Sequence, residues 1–130
     1  MSVYKTKEFS RFARKAEVRD DALLEAAHAV AAGRADADLG GGVFKQRIAR
    51  KGGGKSGGFR TIILFKVGGH SFFVHGFAKN ETANITPREL QALKKLATTF
   101  LAFDGGALKR AVAAGEIAEV KTDGEDGKQD

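Results

Sequence analysis

The sequence predicts an α+β fold in which an N-terminal helical hairpin packs on a small antiparallel sheet and C-terminal helices follow. This prediction rests on changes in the spacing of apolar residues along the chain. The repeat is close to 3.6 residues, typical of helices, between residues 6 and 33 and again after residue 86. Between residues 43 and 77 it is 2 residues, typical of strands. The chain has 130 residues, of which 42% are hydrophobic and 29% charged, as expected for one compact domain.

The N-terminal hairpin is predicted from two helical segments. Residues 3–5 alternate in the manner of an edge strand, and after Thr6 the apolar residues from Phe9 to Ala16 recur at helical spacing. Asp20 and Asp21 then suit the start of a second helix, because acidic side chains there complement the helix dipole. Gly33 is a natural stop for this second helix.

Three antiparallel strands are predicted in the middle of the chain. They cover residues 43–49, 59–67 and 70–77, and the second is apolar on both faces, as expected of a central strand. Residues 36–42 contain three consecutive glycines and are predicted to form a loop.

Alternation along these strands assigns side chains to faces. In the first strand, Lys45 and Arg47 share a face. In the third strand, His75 and Phe77 are assigned to the same face as Phe73.

The C-terminal part is predicted to be helical. Thr-Pro-Arg-Glu at residues 86–89 combines a cap, a proline at the first helical position and a capping-box glutamate. A short helix at 108–114 and a last strand at 117–120 are expected to follow. Residues 121–130 contain no apolar side chain and are predicted to be a disordered tail outside a domain that spans residues 1–120.

Positive charge is concentrated in the middle of the chain. Residues 39–80 carry a net charge of +8 with no acidic side chain, whereas the remainder carries −2. The basic residues of this block are Lys45, Arg47, Arg50, Lys51, Lys55, Arg60, Lys66 and Lys79. Such a block favours a surface that contacts phosphates, since solubility alone is served by mixed signs. The alternative is that these cations are solvated along strand edges, where they discourage aggregation.

Several of these cations are expected to converge on one side of the sheet. Arg60 opens the central strand, and neighbouring strands lie about 4.8 Å apart. The five expected to converge are Lys45, Arg47, Lys51, Lys55 and Arg60, and Lys79 follows the third strand closely enough to reach the same side. Clustered like charges repel one another unless an anion lies between them, so the sequence predicts an anion site.

Other kinds of site are not favoured. Lys55-Ser56 leads through two glycines into a strand, whereas a nucleotide-binding P-loop leads into a helix. The chain has no cysteine and the basic block has no carboxylate, so neither a metal site nor a cofactor is predicted. His75 is either a structural histidine or part of the anion site, and Phe77 is either a core residue or a ring that stacks on a nucleobase.

No membrane contact is predicted. No apolar run approaches the roughly 18 residues of a membrane span, and the first ten residues lack the apolar stretch of a secretory signal. We therefore expect a cytoplasmic protein.

Four stretches together resemble one known family. They are the helical hairpin, Lys55-Ser-Gly-Gly-Phe-Arg60-Thr-Ile-Ile, Phe73-Val-His-Gly-Phe-Ala-Lys-Asn-Glu81, and Asn84-Ile85 before the leucine-rich helix. Between residues 3 and 120 the chain resembles the RelE/ParE superfamily of toxins from bacterial type II toxin–antitoxin systems. The resemblance is greatest to the RelE-like group that includes HigB-type toxins, and it implies a RelE-like toxin domain over residues 1–120.

The resemblance implies a ribosome-dependent endoribonuclease that cuts messenger RNA without a metal and so blocks translation. The ribose 2′-hydroxyl attacks the adjacent phosphate, which requires a base, positive charge for the oxyanion, and an acid for the leaving oxygen. The implied catalytic residues are Arg60, as the ligand of the scissile phosphate, with Lys55, Lys79 and His75. The implied RNA-binding residues are Lys45, Arg47, Lys51 and Phe77. Many relatives have a tyrosine after the sheet where this chain has none, which leaves the general acid open between His75 and a lysine.

The implied partners are a cognate antitoxin protein, the ribosome and its messenger RNA, with DNA contacted only through an antitoxin complex. Two other functions stay open. One is a ParE-like toxin that inhibits DNA gyrase without nuclease activity, and the other is an RNA-binding module without catalysis. The basic sheet favours RNA, because gyrase inhibition does not require clustered phosphate-binding residues.

Overall fold

The computed structural model describes residues 1–48, 58–78 and 85–121. These residues form four helices and a six-stranded mixed sheet, which confirms the α+β class. No helix within these ranges is long and apolar enough to cross a bilayer. In chain order the elements are β1 (Val3–Thr6), α1 (Lys7–Ala16), α2 (Asp20–Ala31), β2 (Ala37–Gly40), β3 (Val43–Ile48), β4 (Phe59–Phe65), β5 (Ser71–Ala78), α3 (Pro87–Phe100), α4 (Gly105–Ala113) and β6 (Ile117–Glu119).

The sheet is covered by helices on both faces. Its strand order is β2-β3-β4-β5-β1-β6, in which β1 and β5 pair parallel and the other neighbours pair antiparallel. One face packs with α1 and α2 around the buried Phe9, Leu23 and Phe73. The other packs with α3 and α4 around Ile62 and Phe72. Because both faces are buried, β4 is apolar on both sides.

The predicted fold class, in which the chain opens on a helical hairpin, is not matched because β1 comes first and is part of the main sheet. The edge position expected for residues 3–5 is also wrong, because β1 lies inside the sheet between β5 and β6. Val3 and Tyr4 belong to the core clusters on opposite faces, and both are buried because each face has its own helices. The sheet is consequently larger than the three-stranded antiparallel sheet expected, and it is mixed.

A strand also occupies most of the predicted loop. Ala37–Gly40 pairs antiparallel with β3, and the chain then turns at Gly40, Gly41 and Gly42, whose φ values are +89°, +64° and +83°. Glycine adopts such angles without steric cost. The short Ala-Asp-Leu-Gly segment has no β-branched residue, so its strand conformation comes from pairing with β3 and not from local propensity.

The C-terminal helices are fixed by side-chain caps. The Thr86 hydroxyl accepts a hydrogen bond from the Glu89 N–H, and the Glu89 carboxylate accepts one from the Thr86 N–H, which confirms the capping box. The Asp104 side chain caps α4 by accepting a hydrogen bond from the Ala107 N–H. Residues 122–130 of the predicted tail lie outside the described part of the chain.

Candidate nucleic-acid interface

Strands β3, β4 and β5 bring two rows of side chains to the sheet face covered by α3. In one row, Arg47 lies opposite Arg60 and Arg60 opposite Phe77. In the next row, Lys45 and His75 lie on either side of Ile62. Ile62 belongs to the core cluster on this face, and directly opposed residues of antiparallel strands point to the same face. We call the three basic residues Lys45, Arg47 and Arg60 the cationic face.

A β-bulge decides where His75 and Phe77 point. Ile63 pairs with Phe73 whereas Ile62 pairs with His75, so β5 carries one additional residue, Val74, at this position. The bulge reverses the alternation. The prediction that grouped His75 and Phe77 with Phe73 is therefore wrong, because both lie on the opposite face, beside the cationic face.

Gly76 holds this part of β5 against α1. The Phe12 ring occupies the space on the other side of Gly76, so a Cβ added there would lie 2.4 Å from a Phe12 ring carbon. Phe12 also packs edge-to-face on Phe59, with ring centroids 5.5 Å apart. The strand segment that carries His75 and Phe77 is thus supported from behind by an aromatic side chain.

Arg60 is the central cation of the face. It is half-buried between the Arg47 and Phe77 positions, and its Nη1 atom is inaccessible to solvent. Within the described ranges no acceptor lies at hydrogen-bond distance from Nη1. A buried guanidinium nitrogen without an acceptor is unfavourable, and like charges directly opposite each other on neighbouring strands add to the cost. Phosphate oxygens placed against the half-buried side chain would relieve the charge repulsion.

Arg47 lies in β3 beyond the end of its pairing with β2 and has an acidic neighbour. Its Nε is 3.8 Å from Asp36 Oδ2, and its backbone N–H donates to the same oxygen at 2.7 Å. Gln46 fixes Asp36 in turn by accepting from the Asp36 N–H. Arg47 also lines a cavity of about 390 Å³ against α2, which covers the opposite face, so this residue lies at the boundary between the cationic face and the α2 side of the sheet. It is therefore partly neutralised, which leaves Arg60 as the less compensated arginine.

A larger cavity borders the cationic face on the side of α3. It has a volume of about 590 Å³, and we call it the α3 cavity. It is lined by Glu8, Val74, His75, Phe77, Ile85, Glu89, Ala92, Leu93 and Leu96. His75 is exposed and Phe77 is 6% exposed, and their ring centroids are 5.6 Å apart. The imidazole of His75 is consequently the accessible ring, and Phe77 forms part of the wall.

A fixed carboxylate lies at the rim of the α3 cavity. The pKa of Glu89 is held below its ordinary value of 4.5, chiefly because the Thr86 backbone N–H donates to the carboxylate, with contributions from the Thr86 hydroxyl and the nearby His75. Sequence reasoning identified Glu89 only as a capping residue and did not assign Glu8 or Asp36 to the site. The capping-box pattern was the one signal that placed Glu89 at the start of a helix.

Three residues predicted for the site, Lys51, Lys55 and Lys79, lie outside the described residues. Five others, Lys45, Arg47, Arg60, His75 and Phe77, lie on one face of the sheet. In the described part of the chain, no group of three histidine, aspartate or glutamate side chains is arranged to hold a metal ion.

The chain matches the model of one known protein family. The family model described as the RelE toxin of the RelE/RelB toxin–antitoxin system matches residues 1–120. The search of curated proteins finds no match. The match covers all six strands and four helices, including the strands that carry the cationic face. The chain therefore belongs to the RelE family of toxins, whose membership implies an antitoxin partner.

Proposed function

We propose that the protein is a ribosome-dependent endoribonuclease that cuts messenger RNA by attack of a ribose 2′-hydroxyl on the adjacent phosphate. Toxins of this family are generally ribonucleases. The observation that carries the proposal is Arg60, which lies opposite a second arginine with one buried guanidinium nitrogen lacking an acceptor among the described residues. This arrangement suits a ligand with several anionic oxygens.

The reaction requires a proton acceptor, a proton donor and a cation. The 2′-oxygen forms a bond to phosphorus as its proton passes to a base, and the bond from phosphorus to the 5′-oxygen breaks as that oxygen receives a proton. The products are a 2′,3′-cyclic phosphate and a 5′-hydroxyl. Arg60 binds the phosphate through its planar guanidinium and stabilises the charge that develops on its oxygens. Lys45 and Arg47 bind neighbouring phosphates.

His75 is the described side chain best suited to proton transfer. It is exposed and is the diagonal cross-strand neighbour of Arg60, at a separation of about 7–8 Å between backbones that long side chains bridge. Lys55 and Lys79 are proposed as the other catalytic residues on the sequence alone, with Lys51 as an RNA contact. A lysine amine that has lost its proton is able to accept the 2′-hydroxyl proton.

The finer placement within the family is also a proposal. The Ser-Gly-Gly-Phe-Arg and Gly-Phe-Ala-Lys-Asn-Glu stretches favour the HigB-type branch. Action on ribosomes requires a cytoplasmic protein, and the partners are then the ribosome, messenger RNA and a cognate antitoxin that blocks the activity.

Expression of the full chain in growing bacteria tests the proposal. We expect growth arrest together with cut messages, and we expect Arg60→Ala to abolish both because the phosphate loses its main ligand. Arg60→Lys retains the positive charge but not the planar guanidinium, which donates two parallel hydrogen bonds to a phosphate. This variant should therefore recover only a small part of the activity. Arg110→Ala removes an exposed arginine on α4 and serves as the matched control.

Three results would contradict the proposal. Arrest with DNA damage and intact messages indicates gyrase inhibition. Binding to RNA without arrest indicates a module without catalysis. Full toxicity of a folded Arg60→Ala variant shows that Arg60 does not bind the scissile phosphate.

A further inference from the structure

The cationic face is positively charged, whereas the α3 cavity beside it has carboxylates at its rim. A site for phosphate alone does not require this second, negative end. The cations of β3 and β4 lie beside Phe77 and His75 of β5, and these two residues line the α3 cavity together with Glu8 and Glu89. A nucleotide has a matching polarity, with an anionic phosphate at one end and a base carrying N–H donors at the other.

We propose that the α3 cavity binds the nucleobase next to the scissile phosphate, that this base is guanine, and that Glu89 recognises it. The proposal rests on the proposed function, which places the phosphate at Arg60. Glu89 becomes a specificity-determining residue in addition to its role in capping α3.

The cavity has the size and walls of a base site. Its volume of about 590 Å³ falls within the range of small-ligand pockets. Val74, Ile85 and Leu93 supply apolar surface, and the exposed imidazole of His75 offers a ring face on which a base stacks. Phe77 is the direct cross-strand neighbour of Arg60, so a phosphate bound at Arg60 lies next to the cavity.

The chemistry of Glu89 selects among the bases. An ionised carboxylate only accepts hydrogen bonds. Guanine presents two adjacent donors, N1–H and the N2 amino group, on one edge, whereas adenine, cytosine and uracil each place an acceptor beside their donor. A carboxylate therefore pairs with guanine through two hydrogen bonds.

Glu89 is also organised before any ligand binds. Oε1 accepts from the Thr86 N–H at 2.9 Å, which orients the side chain at the start of α3. A side chain that is already fixed loses less conformational entropy on binding. Glu8, exposed at the start of α1, adds a second negative charge to the rim and disfavours entry of the phosphate end.

Nucleotide binding to the purified full chain tests this assignment without depending on cleavage. The probes are guanosine 3′-monophosphate and inosine 3′-monophosphate, which differ only in the N2 amino group, and affinity is measured by titration calorimetry. We expect the guanosine nucleotide to bind about tenfold more tightly, as expected for one hydrogen bond to a charged group.

The Glu89→Gln variant separates recognition from a structural role. Glutamine also completes a capping box, so α3 remains capped. Because the amide has only one acceptor oxygen, the variant should lose the preference and bind the two nucleotides with equal affinity, the larger loss falling on the guanosine nucleotide. Arg60→Ala should weaken both nucleotides by the same factor. Glu25→Gln, on an exposed position of α2, is the control and should change neither.

Equal affinity of the wild type for the two nucleotides, lack of binding, or an equal loss for both in Glu89→Gln would overturn the assignment. The proposed function and the base site are contradicted by different results. If the wild type discriminates between the nucleotides but cuts no message on ribosomes, the ribonuclease proposal is wrong and the base site stands. If it cuts messages but binds both nucleotides equally, only the base site is wrong.

Discussion

Arg60 illustrates a conflict between stability and function at a single residue. In the free protein it lies opposite Arg47 and buries a guanidinium nitrogen that has no acceptor among the described residues. Both features destabilise the fold. A central strand that is otherwise apolar on this face, with Ile62 and Leu64, has an evident alternative in a third apolar residue. Under the proposed function, a phosphate bound at this position and not packing explains the arginine.

Replacing this arginine with an unbranched apolar residue should stabilise the free protein. We expect Arg60→Met to raise the free energy of unfolding by about 1 kcal/mol, because charge repulsion and the unsatisfied nitrogen are both removed. The same variant should lose cleavage activity. Urea denaturation followed by circular dichroism measures the change.

Lys109→Met, at an exposed position of α4, controls for the general effect of removing one positive charge. If Arg60→Met unfolds at a lower urea concentration than the wild type, Arg60 stabilises the free protein. The expectation that this arginine destabilises the fold is then wrong.

Gly76 carries a second prediction at the scale of one residue. In Gly76→Ala the new Cβ would overlap the Phe12 ring, and overpacking of this kind typically costs about 1–3 kcal/mol of unfolding free energy. Combining it with Phe12→Leu should recover part of the loss, because the smaller side chain makes room. Thermal unfolding of both single variants and the double variant measures the coupling.

Gly105→Ala is the matched control, because a Cβ at Gly105 meets no atom within 4 Å. Equal effects of the two alanine substitutions would show that the Phe12 contact does not matter.

At the scale of elements, simple alternation predicted β3 and failed in β5. In β3 the pattern is regular, so Lys45 and Arg47 were correctly assigned to one face. In β5 the bulge at Val74 shifts every later residue to the other face. Valine, histidine and glycine at 74–76 give no local signal for a bulge, because the additional residue is accommodated by the pairing with β4 and by Phe12 against Gly76.

The positions of β1 and β2 in the sheet also could not be predicted from a local sequence pattern. Parallel pairing of β1 with β5 joins residues almost 70 positions apart, and no short-range feature encodes it. The strand conformation of Ala37–Gly40 depends on β3. Elements with strong local signals were predicted well, as the Thr86–Glu89 capping box and the helical spacing after Thr6 illustrate.

The capping box makes the start of α3 sensitive to acid. The pKa of Glu89 is lower in the folded protein than its ordinary value of 4.5, so its contribution to stability is complete above that pH and is lost as the pH falls through the folded-state pKa. The protection factors of the Thr86 and Glu89 amides, which are corrected for the pH dependence of intrinsic exchange, should therefore fall below pH 4.5.

Glu89→Gln does not titrate, so in this variant the protection factors of the same amides should not fall over this pH range. Identical pH profiles for wild type and variant would show that the Glu89 carboxylate does not stabilise this helix end.

At the scale of the whole molecule, charge is separated along the chain. The +8 net charge of residues 39–80 contrasts with −2 elsewhere, and the described cations of the block include a cluster on one face of the sheet. Association with a polyanion releases counterions, so affinity depends on salt.

Ribosome binding should therefore weaken steeply as salt increases. If at least the three residues of the cationic face contact RNA phosphates, a plot of log affinity against log salt concentration should have a slope of about −2 or steeper. Arg47→Ala should reduce the slope by about 0.7. Sedimentation with ribosomes at a series of KCl concentrations measures it, and affinity independent of salt would exclude phosphate contacts.

The chemistry of the RNA ends on programmed ribosomes shows whether Arg60 supports cleavage by a 2′-hydroxyl. Ribosomes carrying a defined message are incubated with the wild type or with Arg60→Ala, and the fragments are analysed for their terminal groups. We expect the wild type to produce a 2′,3′-cyclic phosphate on one fragment and a 5′-hydroxyl on the other, and Arg60→Ala to leave the message intact. Cleavage that leaves a 5′-phosphate, or equal cleavage by both proteins, would contradict the account.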